Sequence, residues 1–167
     1  MAAPPAITYR RATEADLPAL CVLGQMVNLL HHEAHPTLFA PASAPERDDA
    51  HWRRSVSLPH MLAYLAECDG EPVGFITAGV ADETHSLMQP VRYAWVGTVG
   101  VQPAYRGAGV GRTLMTMVEQ WAVAQQAVDL RLMVWAFNQH AIRLYEELGF
   151  EARMIGMGKP LPSEPRA

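Results

Sequence analysis

The segment Val99-Gly100-Val101-Gln102-Pro103-Ala104-Tyr105-Arg106-Gly107-Ala108-Gly109-Val110-Gly111 joins a β-rich run to an amphipathic stretch through a glycine-dense turn. Such a turn is suited to hold an anion. Glycines at 107, 109 and 111 let the backbone take φ > 0 and bring N–H groups close to a ligand. The start of a helix adds orphan donors and a partial positive charge. Arg106, and Arg112 just after the last glycine, add charged donors, so Val99 to Arg112 reads as a cradle for pyrophosphate oxygens. Spacing excludes the familiar nucleotide motifs. The glycines alternate, unlike Gly-x-Gly-x-x-Gly, and Arg112-Thr113 supplies no lysine of the kind a Gly-x4-Gly-Lys-Ser/Thr loop requires.

A second motif lies downstream. Leu130 to Trp135 reads as a buried strand, and Asn138 to Phe150 reads as a helix with both ends marked. Asn138 is suited to cap the N-terminus and Gly149 to sit just past the C-terminus. Ala141, Ile142, Tyr145 and Leu148 share one helical face.

The run Arg106-Gly107-x-Gly109-x-Gly111 after a strand resembles the acyl-CoA-binding signature of the GNAT superfamily of N-acyltransferases. The run Asn138-x-x-Ala141-x-x-Leu144-Tyr145-x-x-x-Gly149-Phe150 resembles that superfamily's C-terminal motif. The resemblance implies acetyl-CoA as co-substrate, with its pyrophosphate held by the backbone of Gly107, Ala108, Gly109, Val110 and Gly111. It further implies pairing of the pantetheine arm with Val99, Gly100, Val101 and Asn138, an oxyanion donor at the Val99 N–H, and Tyr145 as proton donor to the departing thiolate. The acceptor is then a primary amine that attacks the thioester directly. An alternative is a non-catalytic module that senses acyl-CoA through the same cradle.

One departure stands out. Relatives carry a carboxylate base on the strand before the cradle, at positions matching Trp95, Gly97 or Thr98, and none of the three is acidic here. The consequence depends on the acceptor. A lysine-like amine of pKa about 10.4 costs ~4.6 kcal/mol to deprotonate at pH 7, and an α-amino group of about 7.8 costs ~1 kcal/mol. Substitute bases are Asp82, Glu83 and His85 in one loop and His31, His32, Glu33 and His35 at the end of the first helix. The pair His31 and His35 also has helical i, i+4 spacing, but Pro36 follows and no zinc signature is present, so no metal is expected. Phe39, Trp52, Tyr93 and Trp95 are candidates for an apolar wall to the acceptor pocket.

The elements that must position these residues follow from pattern. Ile7–Arg10 reads as a strand, and Thr13 caps a helix to about His31 whose apolar stripe is Leu17, Leu20, Leu23, Val27 and Leu30. An irregular loop over Ala40 to Pro45 and a short helix from Ala44 to Ser55 come next. Met61–Glu67 and Val73–Val80 form a hairpin through Asp69-Gly70. Tyr93–Val101 is the next strand, Gly109 to about Gln126 a long helix, and Glu151–Met157 a final strand. This order resembles the single-domain GNAT fold over nearly the whole chain: an α/β (α+β) architecture with a mixed, mostly antiparallel sheet, splayed central strands and flanking helices. The core is expected over about 7–158, with 160–167 a flexible tail.

Composition is in keeping with one domain: 167 residues, half of them hydrophobic. Thirteen basic against 17 acidic residues give a net charge of −4 with no basic run, which argues against nucleic acid. Cys21 and Cys68 lack metal or redox spacing and read as buried small hydrophobes. Met1 to Ala6 lacks the basic and apolar regions of an export signal, and Leu17 to Leu30 is too short and polar to span a bilayer, so a cytoplasmic protein without membrane attachment is expected. The superfamily resemblance adds a homodimer as an expectation.

Overall fold

In the computed structural model, which describes residues 6–161, five strands form one sheet in the order β1-β2-β3-β4-β5. They are β1 (Ile7–Arg11), β2 (Met61–Cys68), β3 (Glu71–Asp82), β4 (Arg92–Val101) and β5 (Asp129–Leu132). The first three pairings are antiparallel and β4 with β5 is parallel. Helices α1 (Leu17–Ala34), α2 (Asp49–Ser57), α3 (Val110–Ala124) and α4 (Gln139–Glu147) flank the sheet. This is the expected mixed α/β architecture. Strands β2 and β3 close through Asp69 and Gly70, at φ 52° and 82°, the left-handed pair that a two-residue hairpin needs.

Both sheet faces are covered, which explains why β2 and β3 read as near-continuous apolar runs. Leu65 and Phe75 pack with Leu20, Leu23 and Trp52 on the α1–α2 side. Leu62 and Ile76 pack with Leu114, Met115, Val118 and Tyr145 on the α3–α4 side. Full burial of a leucine, isoleucine or phenylalanine contributes about 1.5–3 kcal/mol, so these two clusters carry most of the stability. Cys21 and Cys68 are buried and free, as their spacing suggested. At the start of the first helix Thr13 donates through its N–H and hydroxyl to Asp16 (2.8 and 3.1 Å). Arg10 forks onto Asp16 and Glu67, both at 2.7 Å, and this hydrogen-bonded guanidinium holds the Asp16 carboxyl far below the usual carboxylate range.

Two expectations are corrected. The run Leu130 to Trp135 is not a buried strand throughout: β5 stops at Leu132, and Met133 and Trp135 are exposed. Glu151–Met157 forms no strand. It makes no ladder bonds although the outer edge of β5 is open, and Arg153 ties it to Asp129 at 2.8 Å. Of the expected tail, 162–167 lie outside the described residues, as does most of Met1 to Ala6.

Helix α1 rests on α2 through a glycine. A β-carbon at Gly24 would stand 2.4 Å from Trp52 Cζ2, and the indole cannot retreat because its other side meets Phe75 at 5.3 Å. Gly24→Ala is therefore expected to destabilise the fold by about 1–3 kcal/mol, read as a Tm lower by roughly 2–10 °C in thermal denaturation. An unchanged Tm would show that this contact has slack.

Candidate active site

The site begins with a bulge. Thr77 pairs with Thr98 but Ala78 with Val96, so Gly97 is an extra residue in β4. Gly97 is well chosen there, since a β-carbon would sit 2.7 Å from Thr77 Oγ1. The buried Thr77 hydroxyl accepts the Thr98 N–H at 3.0 Å, and Gln102 N–H donates to Val73 O at 2.8 Å. Residues 98 and 102 thus face β3. Alternation along the strand turns the peptide groups of Val99 and Val101 the other way.

What lies on that side is the wedge between β4 and β5. The parallel ladder runs only from Tyr93↔Asp129 to Val96↔Leu132, after which the strands part. Val99 consequently directs its N–H into an opening. Arg106 Nε caps the Val101 carbonyl at 3.0 Å, so this arginine braces the wedge besides standing beside the glycine turn.

The turn itself has the expected left-handed glycines, Gly107 at φ 77° and Gly109 at 82°, with open space where each β-carbon would lie. The expectation fails at Gly111. It lies inside α3 with helical backbone, so positive φ does not account for it; a β-carbon there would make ordinary contact with Leu144 at 3.6 Å. Gly109 caps α3 without a side-chain partner, and the first helical bond runs from Thr113 N–H to Gly109 O. The N–H groups of Val110, Gly111 and Arg112 lie before that first bond and are left as donors without helical partners. Arg112 pairs with Glu147, which ties α3 to α4.

Across the wedge, Asn138 caps α4 by accepting the Ala141 N–H at 3.2 Å, and Gly149 takes φ 89° beyond its end. Tyr145 is 8 % exposed, and burial pushes its hydroxyl up to about 12. No side-chain hydrogen bond among the described residues engages that hydroxyl.

Val99, Asn138 and Tyr145 line one cavity of about 470 Å³. Its helical wall brings residues that sequence reasoning missed: Asn28, Arg47, Asp48 and His51. No spacing in the chain marks them, because they converge only when α1, α2 and the loop between them fold over β4. The Asp48 carboxylate accepts from Gln25 (2.7 Å) and Asn28 (2.8 Å) at one oxygen and from Arg47 (3.2 Å) at the other. His31 lines the same cavity, with Nδ1 2.7 Å from the Val27 carbonyl. Only an N–H can face a carbonyl, so in the neutral ring Nε2 is the acceptor. A smaller cavity of about 200 Å³ adjoins the first at His51, Gly97 and Thr98.

The other substitute bases do not reach the site. Asp82 pairs with Arg92 and Glu83 with Arg131 at the far end of β4, some six residues or roughly 20 Å from Thr98, and His85 follows them in the loop. His32 bonds the Phe39 carbonyl, and neither it, Glu33 nor His35 lines either cavity. Among the described residues no three His, Cys, Asp or Glu side chains gather as a metal site. Of the expected aromatic wall, Phe39, Trp52 and Trp95 line the cavities and Tyr93 does not. Phe39 packs edge-on against Trp135 (4.8 Å) and His31 (5.0 Å), Trp52 contributes to the larger cavity and Trp95 to the smaller, while Tyr93 lies under the Arg131 guanidinium.

Comparisons with known proteins bear on this geometry. The family model described as "Acetyltransferase (GNAT) family" matches residues 26–150. Among solved structures, a mutant of the BH1408 protein from Bacillus halodurans is similar at TM-score 0.82 and 21% identity, over 93% of this chain and 99% of that one. An aminoglycoside N-acetyltransferase, AAC(6')-Iy, in complex with CoA is similar at TM-score 0.73 and 17% identity, over 96% and 99%. A ribosomal-protein-alanine N-acetyltransferase from Brucella melitensis biovar Abortus 2308 is similar at TM-score 0.68 and 18% identity, over 94% and 100%. At these identities the structures show a shared fold. With the family model covering most of the sequence, this chain belongs to the acetyltransferase (GNAT) family.

Proposed function

We propose that the protein transfers the acetyl group of acetyl-CoA to a primary amine by direct attack within a ternary complex. The observation that carries this reading is the Val99 N–H turned into the wedge where β5 leaves β4, with Tyr145 lining the same cavity and the glycine turn at the end of the same strand. The turn fits a pyrophosphate: its left-handed glycines leave open space, and the first N–H groups of α3 lack helical partners.

The roles follow from the groups present. Val101 and Asn138 flank the wedge and are suited to hold the pantetheine arm. The Val99 N–H meets the thioester oxygen as it becomes an oxyanion, where a fixed donor in a water-poor cleft contributes most. The Tyr145 hydroxyl, held protonated by burial across the working pH range, supplies a proton to the departing thiolate. His31 is the best-placed acceptor for the proton of the attacking amine. Its Nδ1–H is committed to Val27, so Nε2 is free to take it, and the nearby carboxylate of Asp48 is already engaged by three donors.

Acetyl-CoA turnover, followed by release of free thiol against a panel of amines, tests the whole reading. Tight binding of acetyl-CoA with no turnover on any amine would favour a sensor instead. Tyr145→Phe is expected to lower kcat by about 10²-fold with CoA affinity little changed, and a loss confined to affinity would refute the donor role. For His31→Gln the expected result is a rate deficit of about 10²-fold at pH 7 that narrows toward pH 9, as more of the amine is already deprotonated. A deficit independent of pH would remove His31 as the base. Gly109→Asp should weaken CoA binding at least about tenfold in calorimetry, since it strains φ 82° and adds a negative charge to the cradle.

A further inference from the structure

We infer that the smaller cavity binds an oxyanion of the acceptor, and that the preferred acceptor is therefore an amine carrying a carboxylate a few atoms from its nitrogen. The inference rests on the acetyl-transfer reading and names the substrate class for it.

The cavity is a bank of donors. It is lined by Arg54, Ser55, His51 and His60 from α2 and the link to β2, and by Thr77 from β3; none of its lining residues is acidic. Arg54 makes no ion pair or side-chain hydrogen bond among the described residues. The contrast with its neighbour is informative, since Arg53 is neutralised on the outer face of α2 by Asp49 at 3.0 Å and Glu14 at 3.5 Å. Ser55, also in the lining, is 3 % exposed. Thr77 is equally buried and uses its oxygen to accept from Thr98, which leaves the hydroxyl proton to donate. Arg11, whose guanidinium donates to the Met61 carbonyl at 3.3 Å, adds positive charge next to this wall. A free guanidinium with two buried hydroxyls and two imidazoles is the donor set that recognises a carboxylate.

Its position relates it to the reaction. Gly97, Thr98 and His51 line both cavities, so an amine nitrogen beside Val99 has its substituent directed past the bulge toward Arg54. About 200 Å³ suits a carboxylate with a short stem. The larger cavity points the same way, because Asp48 is its one lining carboxylate and already shares its charge with Arg47 while accepting from Gln25 and Asn28. A polycationic acceptor would meet the unpaired Arg54, while the one carboxylate of the larger cavity is already shared with Arg47.

The test uses matched acceptors with the full chain: an amino acid, its amide, an aminoalkyl phosphonate of equal length and a polycationic aminosugar. Wild-type protein should favour the acid over the amide by about 10- to 100-fold in kcat/KM, mostly through KM. Arg54→Gln should erase that preference by lowering the acid rate while changing the amide rate less than about threefold, and Arg54→Lys should keep part of it. Equal rates for acid and amide, equal losses for both in Arg54→Gln, or the aminosugar as best substrate would overturn the inference. A tenfold preference for the phosphonate would overturn the carboxylate assignment. Calorimetry of acid and amide binding to the CoA-loaded protein separates the two readings. Acid binding that disappears in Arg54→Gln, with no turnover of any amine, would uphold the anion subsite and sink acetyl transfer. Turnover without discrimination would do the reverse.

Discussion

Beyond Val96 the outer edge of β4 has no strand beside it, although the chain there is still extended and still carries a peptide N–H and C=O at every other residue. Buried peptide groups need partners, so an edge left open in the interior calls for a ligand or a local substitute. Arg106 supplies one substitute by capping the Val101 carbonyl. The Val99 N–H faces the same open edge. Most other features of the site serve to keep this wedge open and correctly faced.

The bulge at Gly97 sets the facing. One extra residue in β4 reverses which peptide groups look toward β3, and Thr77 repairs the ladder with its side chain so that the reversal carries no unpaired Thr98 N–H. Had the ladder run without the extra residue, the N–H now turned into the wedge would be paired with β3. The same glycine leaves room where two cavities meet. Geometry of the strand and access for an acceptor therefore come from a single residue without a side chain.

Charge in the pocket is distributed by the same logic of satisfied and unsatisfied groups. Asp48 is surrounded by donors and acts as a tie between α1 and its neighbouring loop, whereas Arg54 makes no ion pair among the described residues. The strand carboxylate expected from the family resemblance is missing at Trp95, Gly97 and Thr98, and the His31 imidazole, with Nδ1 on the Val27 carbonyl, lines the larger cavity from a helix. The phenyl ring of Phe39 and the Phe137 ring, 5.0 and 5.5 Å from that imidazole, hold it in place.

Much was legible in the chain because it rests on local chemistry. Asp69-Gly70 dictates its hairpin, Asn138 and Gly149 their helix ends, and Gly107 and Gly109 their left-handed turn, each through constraints reaching a few residues. The order of elements, the resemblance of two motifs and hence the family follow from them. Period and composition misled where ladder bonds were needed: Met133 to Trp135 and Glu151 to Met157 have apolar residues suited to strands, but β5 leaves β4 after Leu132 and residues 151–157 do not bond to its open edge. Gly111 was misread because a glycine's φ is set by its element, here a helix. The acceptor side was hidden altogether. Asn28, Asp48, His51, Arg54 and Thr77 are scattered over some fifty residues with no periodic signature, and only the packing of α1 and α2 across β3 and β4 brings them to one place. The sequence by itself thus determined the family, the glycine turn and the helix that carries Tyr145, since these are written in short-range backbone preferences; the tertiary structure alone decided the direction of the Val99 N–H, the bonding of His31 and the charge lining the two cavities, since each depends on which distant groups are already paired.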